Sequence, residues 1–215
     1  MVSYSILSVL ALASVAIAGD TPIQSDSADQ PSLQAKFEKS EKSDITGTIT
    51  FEPANNGSVL VKVDVEGLPS SGGPFPYHIH ERPVPADGNC TGTKMHLNPY
   101  GGNENATTPQ GLEAGDLSGR HGKIQGTSLS TEYVDNYISL NPDSKTYFGD
   151  LSIVIHFANT SRITCSNLTE LESNGGGSNS TSSSEAGVST ANGAGNLQTG
   201  GLLAGALAGA AALLI

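Results

Sequence analysis

The chain has 215 residues, 21 acidic against 10 basic side chains, a net charge of −11, and an aromatic share of 5% with no tryptophan. An acidic chain of this balance argues against nucleic acid and anionic membrane surfaces as partners. It also suits an anionic substrate poorly unless positive groups are gathered locally.

Residues 1–18 carry an apolar run from Ile6 to Ile17 that ends in Ala16-Ile17-Ala18. That is the form of a secretory signal peptide cut after Ala18, although its first residues contain no Lys or Arg. The folded portion is expected over 19–170, enough for one single-core domain. Six Asn-x-Ser/Thr sequons, at Asn56, Asn89, Asn105, Asn159, Asn167 and Asn179, are glycan acceptors in a secreted chain and mark exposed loops.

The strands follow in order. Leu33–Phe37 is a plausible first strand. Ile45 to Phe51 places Ile45, Ile49 and Phe51 in register. Val59 to Glu66 alternates cleanly, with Val59, Val61, Val63 and Val65 on one face and Lys62, Asp64 and Glu66 on the other. Gly126–Ser130 and Tyr133–Leu140 are weaker, separate candidates. Leu151 to Phe157 puts an apolar stripe on one face and His156 on the other. No segment of the core has sustained helical periodicity, so the fold class is all-β, an antiparallel sandwich or barrel. The stretch from Glu81 to Gly122 is long and rich in Gly, Pro and Asn, as functional loops are.

All five histidines fall in this core: His78, His80, His96, His121 and His156. His78 and His80, two apart, share a strand face and can point at one atom. Imidazole suits copper and zinc, and four nitrogens in a roughly planar array suit Cu(II). Cys90 and Cys165, 75 residues apart in a chain bound for an oxidising compartment, are expected to form one disulfide. Closing that loop contributes about 4 kcal/mol on chain entropy.

From Leu171 to Gly200 the chain is Ser, Thr, Asn, Gly and Ala with almost no large apolar side chain, so 171–192 is expected to be a disordered stalk. Asn192-Gly193-Ala194, a polar spacer and the apolar tail Gly201 to Ile215 form a GPI-attachment signal. Residues 193–215 would be the removed propeptide, with Asn192 as attachment residue and Gly193 or Ser189 as alternatives. The protein is therefore expected to be secreted and GPI-anchored to the cell membrane or the wall, with the GPI lipid and wall glucan as its attachment partners.

Pro76-Tyr-His-Ile-His80, His96-Leu-Asn-Pro99, Glu113-Ala-Gly-Asp-Leu117, Val154-Ile-His156 and Ser161-Arg-Ile-Thr-Cys165 occur in this order. Together they resemble the copper–zinc superoxide dismutase family across roughly 33–165. The resemblance implies an immunoglobulin-like Greek-key barrel with a long ligand-bearing loop. It implies that His78, His80, His96 and His156 hold copper, with His96 the ligand that loosens on reduction. It further implies that Cys90 pairs with Cys165, that Arg162 attracts superoxide, and that Asp116 stands where the family closes its zinc site. Two departures matter. Leu97–Gly115 contains no histidine, with Glu113 where the family has a zinc ligand, and only Phe157 to Ser161 separate His156 from Arg162, where zinc-bearing members have a long charged loop. Both losses resemble the fungal extracellular copper-only members: one copper per chain, no zinc, and an open site.

On this resemblance the protein is a dismutase converting superoxide to O2 and H2O2. Glu113 is the candidate acceptor for the far nitrogen of His96, and Asp116 supports the same surroundings. His121 is expected to be a hydrogen-bonding residue in a turn, and Met95 to pack. Nothing apolar on the surface demands a dimer, so a monomer suffices. The alternative is a GPI-linked wall protein that binds or stores copper without activity. A polysaccharide monooxygenase would need a histidine at the mature N-terminus, where Gly19 stands, and a blue-copper site would need a free cysteine.

Overall fold

The computed structural model describes residues 19–171. The expected signal peptide, all but the first residue of the stalk, the GPI tail, Asn179 and Asn192 lie outside the described residues. Seven strands form one antiparallel sheet in the order β4-β6-β7-β1-β2-β3-β5. They are β1 Leu33–Phe37, β2 Thr46–Pro53, β3 Val59–Glu66, β4 Tyr77–His80, β5 Ser128–Asp135, β6 Ser152–His156 and β7 Arg162–Glu170. One five-residue helix, α1 (Leu117–His121), and two short 3-10 turns interrupt the long loop.

The alternation in β3 decides its pairing. Val59, Val61, Val63 and Val65 are buried while Asp64 and Glu66 are exposed, and β2 supplies Ile49 and Phe51 to the same core. Each fully buried aliphatic or aromatic side chain contributes about 1.5–3 kcal/mol. The chain does not run on as a simple meander. β4 leaves its sequence neighbour and pairs with β6 at the opposite edge, the long return connection of a Greek key. The two sheet edges meet where Phe75 and Ile124 exchange both backbone hydrogen bonds at 2.9 Å, which curls the sheet into a barrel.

The structure corrects two strand expectations. Gly126–Ser130 and Tyr133–Leu140 are not separate strands: a single β5 runs Ser128–Asp135 along the whole of β3, because nothing in Ser130-Thr131-Glu132 breaks it. It stops at Asp135, whose carboxylate accepts the Tyr137 N–H at 2.8 Å and turns the chain. Ile138 and Leu140 enter the core from outside any strand. Strand β7, polar along most of its length, is a nine-residue element that alternation does not reveal, yet it pairs with both β6 and β1.

β4 and β6 are buried on both faces. Tyr77, Ile79, Ile153 and Ile155 fill the barrel. Their other face, carrying His78, His80 and His156, is covered by the long loop, so His156 is buried rather than solvent-facing. Loop segments around 95–97 and 113–115 add a short ladder beside β4. Glu81 donates to the Met95 carbonyl, Leu97 to Ile79, Gly115 to Leu97 and Ile79 to Gly115, at 2.8–2.9 Å. Gly115 is required there, since a Cβ would stand 2.4 Å from the Ile79 carbonyl oxygen.

Candidate metal centre

Three imidazoles are presented by strands and one by the loop ladder. His78 and His80 alternate with core residues on β4, and β6 brings His156 to the same outer face, with a register shift at Ile155/His156 that turns the end of the strand. The Glu81–Met95 and Leu97–Ile79 hydrogen bonds flank His96 and set it opposite His80. Ring centroids are 4.0 Å apart for His78 and His96 and 5.3 Å for His80 and His156. One nitrogen of each ring lies within 4.8 Å of the corresponding atom of every other.

Each ring has one nitrogen engaged elsewhere. His78 Nε2 lies 3.3 Å from the Asp116 carboxylate and 3.2 Å from the Ser118 hydroxyl. His80 Nδ1 donates to the Lys94 carbonyl at 3.0 Å, and His156 Nδ1 to the Thr160 carbonyl at 2.9 Å. His96 Nδ1 lies 2.5 Å from Glu113 Oε2. An acceptor on one nitrogen fixes the tautomer and leaves a lone pair on the other. Those four lone pairs converge. His80 Nε2 and His156 Nε2 stand 3.1 Å apart, and the buried His78 Nδ1 has no hydrogen-bond partner. Neutral lone pairs facing one another at such distances repel, and a buried unpaired nitrogen costs about 1–3 kcal/mol. A cation held between them removes both penalties, and an all-imidazole set is suited to copper.

Burial keeps the His78, His80 and His156 rings neutral. It holds His78 below the usual imidazole range, pushes His80 down to about 2 with help from His96, and His156 down to about 4. Asp116 is pushed up by burial, but the His78 ring, the Gly119 N–H and Arg120 more than reverse this and keep it below the ordinary carboxylate range. Asp116 also caps α1 by accepting from Gly119 N at 2.7 Å.

The four rings line a cavity of about 540 Å³ whose other walls include the cations Lys94, Lys123 and Arg162 and the acid Glu104. Arg162 donates Nη1 to the Cys90 carbonyl at 2.8 Å and Nη2 to the Lys94 carbonyl. Cys90 and Cys165 are bonded, with their Cα atoms 5.7 Å apart, so the ligand loop is fastened to β7 beside Arg162. Met95 does not pack: it lines the cavity and is 70% exposed, because its backbone is held in the ladder while its side chain has no core to enter. His121 is not in a turn but ends α1, apart from the four-ring group, with Nε2 2.9 Å from Asp135. The sequon residues Asn56, Asn89, Asn105, Asn159 and Asn167 are all exposed, and Asn105 lines the cavity. Ser118, Lys94, Lys123 and Arg120 are additions to the site that alternation and spacing do not single out.

The family profile for copper/zinc superoxide dismutase matches residues 45–188. The chain belongs to this family. It is 52% identical to cell surface Cu-only superoxide dismutase 5 of Candida albicans, over 97% of this chain and 99% of that one. It is 57% identical to the cell surface copper–zinc superoxide dismutase 4 of the same organism, over 77% of this chain and 72% of the relative. The solved structure of Candida albicans superoxide dismutase 5 with Cu(II) superposes with a TM-score of 0.67 at 58% identity, covering 71% of this chain and 99% of that one.

Proposed function

We propose that the protein is a cell-surface superoxide dismutase that works with one copper ion and no zinc, held by His78, His80, His96 and His156. The observation that carries this reading is the convergence of four imidazole lone pairs whose tautomers are set by four separate acceptors. Freedom from zinc is supported by His96 Nδ1, the nitrogen opposite the cavity, being taken by Glu113, and by the lack of any histidine in Leu97–Gly115.

Copper bound there supplies one-electron chemistry between Cu(II) and Cu(I), so that two superoxide ions and two protons become O2 and H2O2. The chain's own residues do the rest. His78, His80 and His156 sit on paired strands and give a rigid base. Glu113 accepts a hydrogen bond from His96 Nδ1–H, keeping Nε2 aimed into the cavity, and Asp116 accepts from His78 Nε2–H, leaving Nδ1 as the free nitrogen of that ring. Arg162, fixed by two backbone carbonyls, keeps a guanidinium charge at the cavity wall and attracts the anion at short range. Charges beyond a Debye length of about 8 Å are screened, so this local cation, with Lys94 and Lys123, outweighs the −11 of the whole chain.

Secretion, removal of 1–18, GPI attachment at Asn192, linkage to wall glucan, occupied sequons and a monomeric state complete the proposal. The test is metal content and superoxide decay on the purified protein. One copper, no zinc and rapid decay are expected. Arg162→Ala should keep the copper, slow the decay and flatten its salt dependence. Copper binding without decay would instead make the protein a store.

A further inference from the structure

Arg120 is a buried cation that does not line the four-ring cavity. Its side chain is 2% exposed and that of its partner Asp135, at the end of β5, is fully buried. Nε donates to Asp135 Oδ2 at 2.8 Å, while Nη1 and Nη2 donate to the carbonyls of Glu113 and Ala114 at 2.8 and 2.6 Å. Asp135 is held in turn by the Tyr137 N–H at 2.8 Å and faces His121 at 2.9 Å, and the Tyr137 ring lies 5.3 Å from the guanidinium. His121 stacks on Tyr133, whose hydroxyl is 3.0 Å from that of Tyr77 on β4. The guanidinium fork therefore spans from the barrel to the two consecutive carbonyls beside which the Glu113 side chain departs.

That side chain has little freedom to wander. Its two oxygens meet His96 Nδ1 at 2.5 Å and Asn98 Nδ2 at 3.2 Å, so the backbone at Glu113 must be held to within about 0.5 Å. Buried ion pairs are weak contributors to stability, and well-packed apolar residues often serve as well; their value lies in fixing geometry. A planar guanidinium with three directed N–H donors suits that task, and an ammonium does not. α1, which carries Arg120, also begins at Asp116, the carboxylate beside His78.

We infer that Arg120 is a positioning residue: braced on Asp135, it sets the Glu113 backbone and thereby the hydrogen bond that orients His96. The inference deepens the dismutase reading of this site. Its test is arranged so that the two fail separately, because the first readout uses metal-free protein and needs no activity.

In the mature protein without metal, the His96 Nδ1 proton, short-bonded to Glu113, gives a downfield resonance by nitrogen-edited NMR. Arg120→Lys is expected to move it towards its position in Glu113→Gln. In the copper-loaded protein Arg120→Lys should slow superoxide decay about tenfold, the effect usual for groups that orient metal ligands. In the Glu113→Gln background the same substitution should add nothing to that loss, whereas a structural role would add its full loss in both. Should Arg120→Lys not fold, Asp135→Asn, which keeps the side-chain shape but removes the brace's charge, is put through the same two measurements. An unmoved His96 resonance, or losses that add in full, overturns the assignment.

Discussion

Replacing both Cys90 and Cys165 with serine removes the fastening between the ligand loop and β7. The bond closes 75 residues. The chain-entropy relation at that length gives about 4.5 kcal/mol at 25 °C, about 30% or more of the roughly 5–15 kcal/mol that holds a typical domain together. For a domain of about 150 residues, 1 kcal/mol moves the melting temperature by about 2–4 °C, so the double variant should melt about 9–18 °C below the parent. The loss is not confined to the denatured chain. With the bond gone, Arg162 alone links β7 to the carbonyls of Cys90 and Lys94. The Lys94 carbonyl is also the acceptor that orients His80. Calorimetry on metal-free protein measures the first effect, and chelator competition for copper measures the second. A melting temperature lowered by less than about 4 °C, with copper retained as before, would mean that strand pairing already holds the loop and that the crosslink is not its fastening.

Glu113→Ala removes the acceptor of His96 and should weaken copper retention about 10–100-fold in the same competition assay; unchanged retention would leave His96 oriented by something else. In metal-free protein, burial pushes His80 down to about 2 and His156 down to about 4, against about 6.5 in an unfolded chain. Stability is then complete above about pH 6.5 and declines as the pH falls towards 4, because the unfolded chain binds protons that the fold refuses. Urea midpoints between pH 7.5 and 4.5 test the sign. Gly47, at φ +123 on β2, has the Asp64 carbonyl oxygen 2.1 Å from where a Cβ would stand. Gly47→Ala should cost at least about 2 kcal/mol in denaturant unfolding. A glycan on Asn105 would overhang the cavity that this residue lines. Enzymatic removal of glycans should speed copper extraction by a bulky chelator several-fold while superoxide decay stays as it was, and equal extraction rates would place the sugar away from the mouth.

The parts of the fold legible in the sequence are those where one face is apolar and the other wet. β3 was readable to its last residue because four valines alternate with polar side chains. β7 was not, since Arg162 to Glu170 is half-exposed on both faces and its pairing with β1 and β6 leaves no apolar stripe. The His78/His80 pair is visible as spacing, but its meeting with His96 and His156 depends on hydrogen bonds between distant backbones, which leave no mark in side-chain identity. Glu113 was found by the absence of a histidine where the family has one. The acceptors of His80 and His156 are main-chain carbonyls of Lys94 and Thr160, and no residue type announces a carbonyl. Met95 misled because an apolar residue next to a ligand ordinarily finds a core, and here the ladder holds its backbone at the rim.

His80 and His156 are 76 residues apart and meet only after β4 has crossed to the far edge of the sheet. Early in folding the chain owns a His-x-His pair and nothing to complete it. The four-ring site is thus a product of the assembled sheet, a finished vessel in which an ion could be received without being the mould around which it sets. A chelator should empty such a protein without unfolding it, unlike small domains whose fold exists only around their metal.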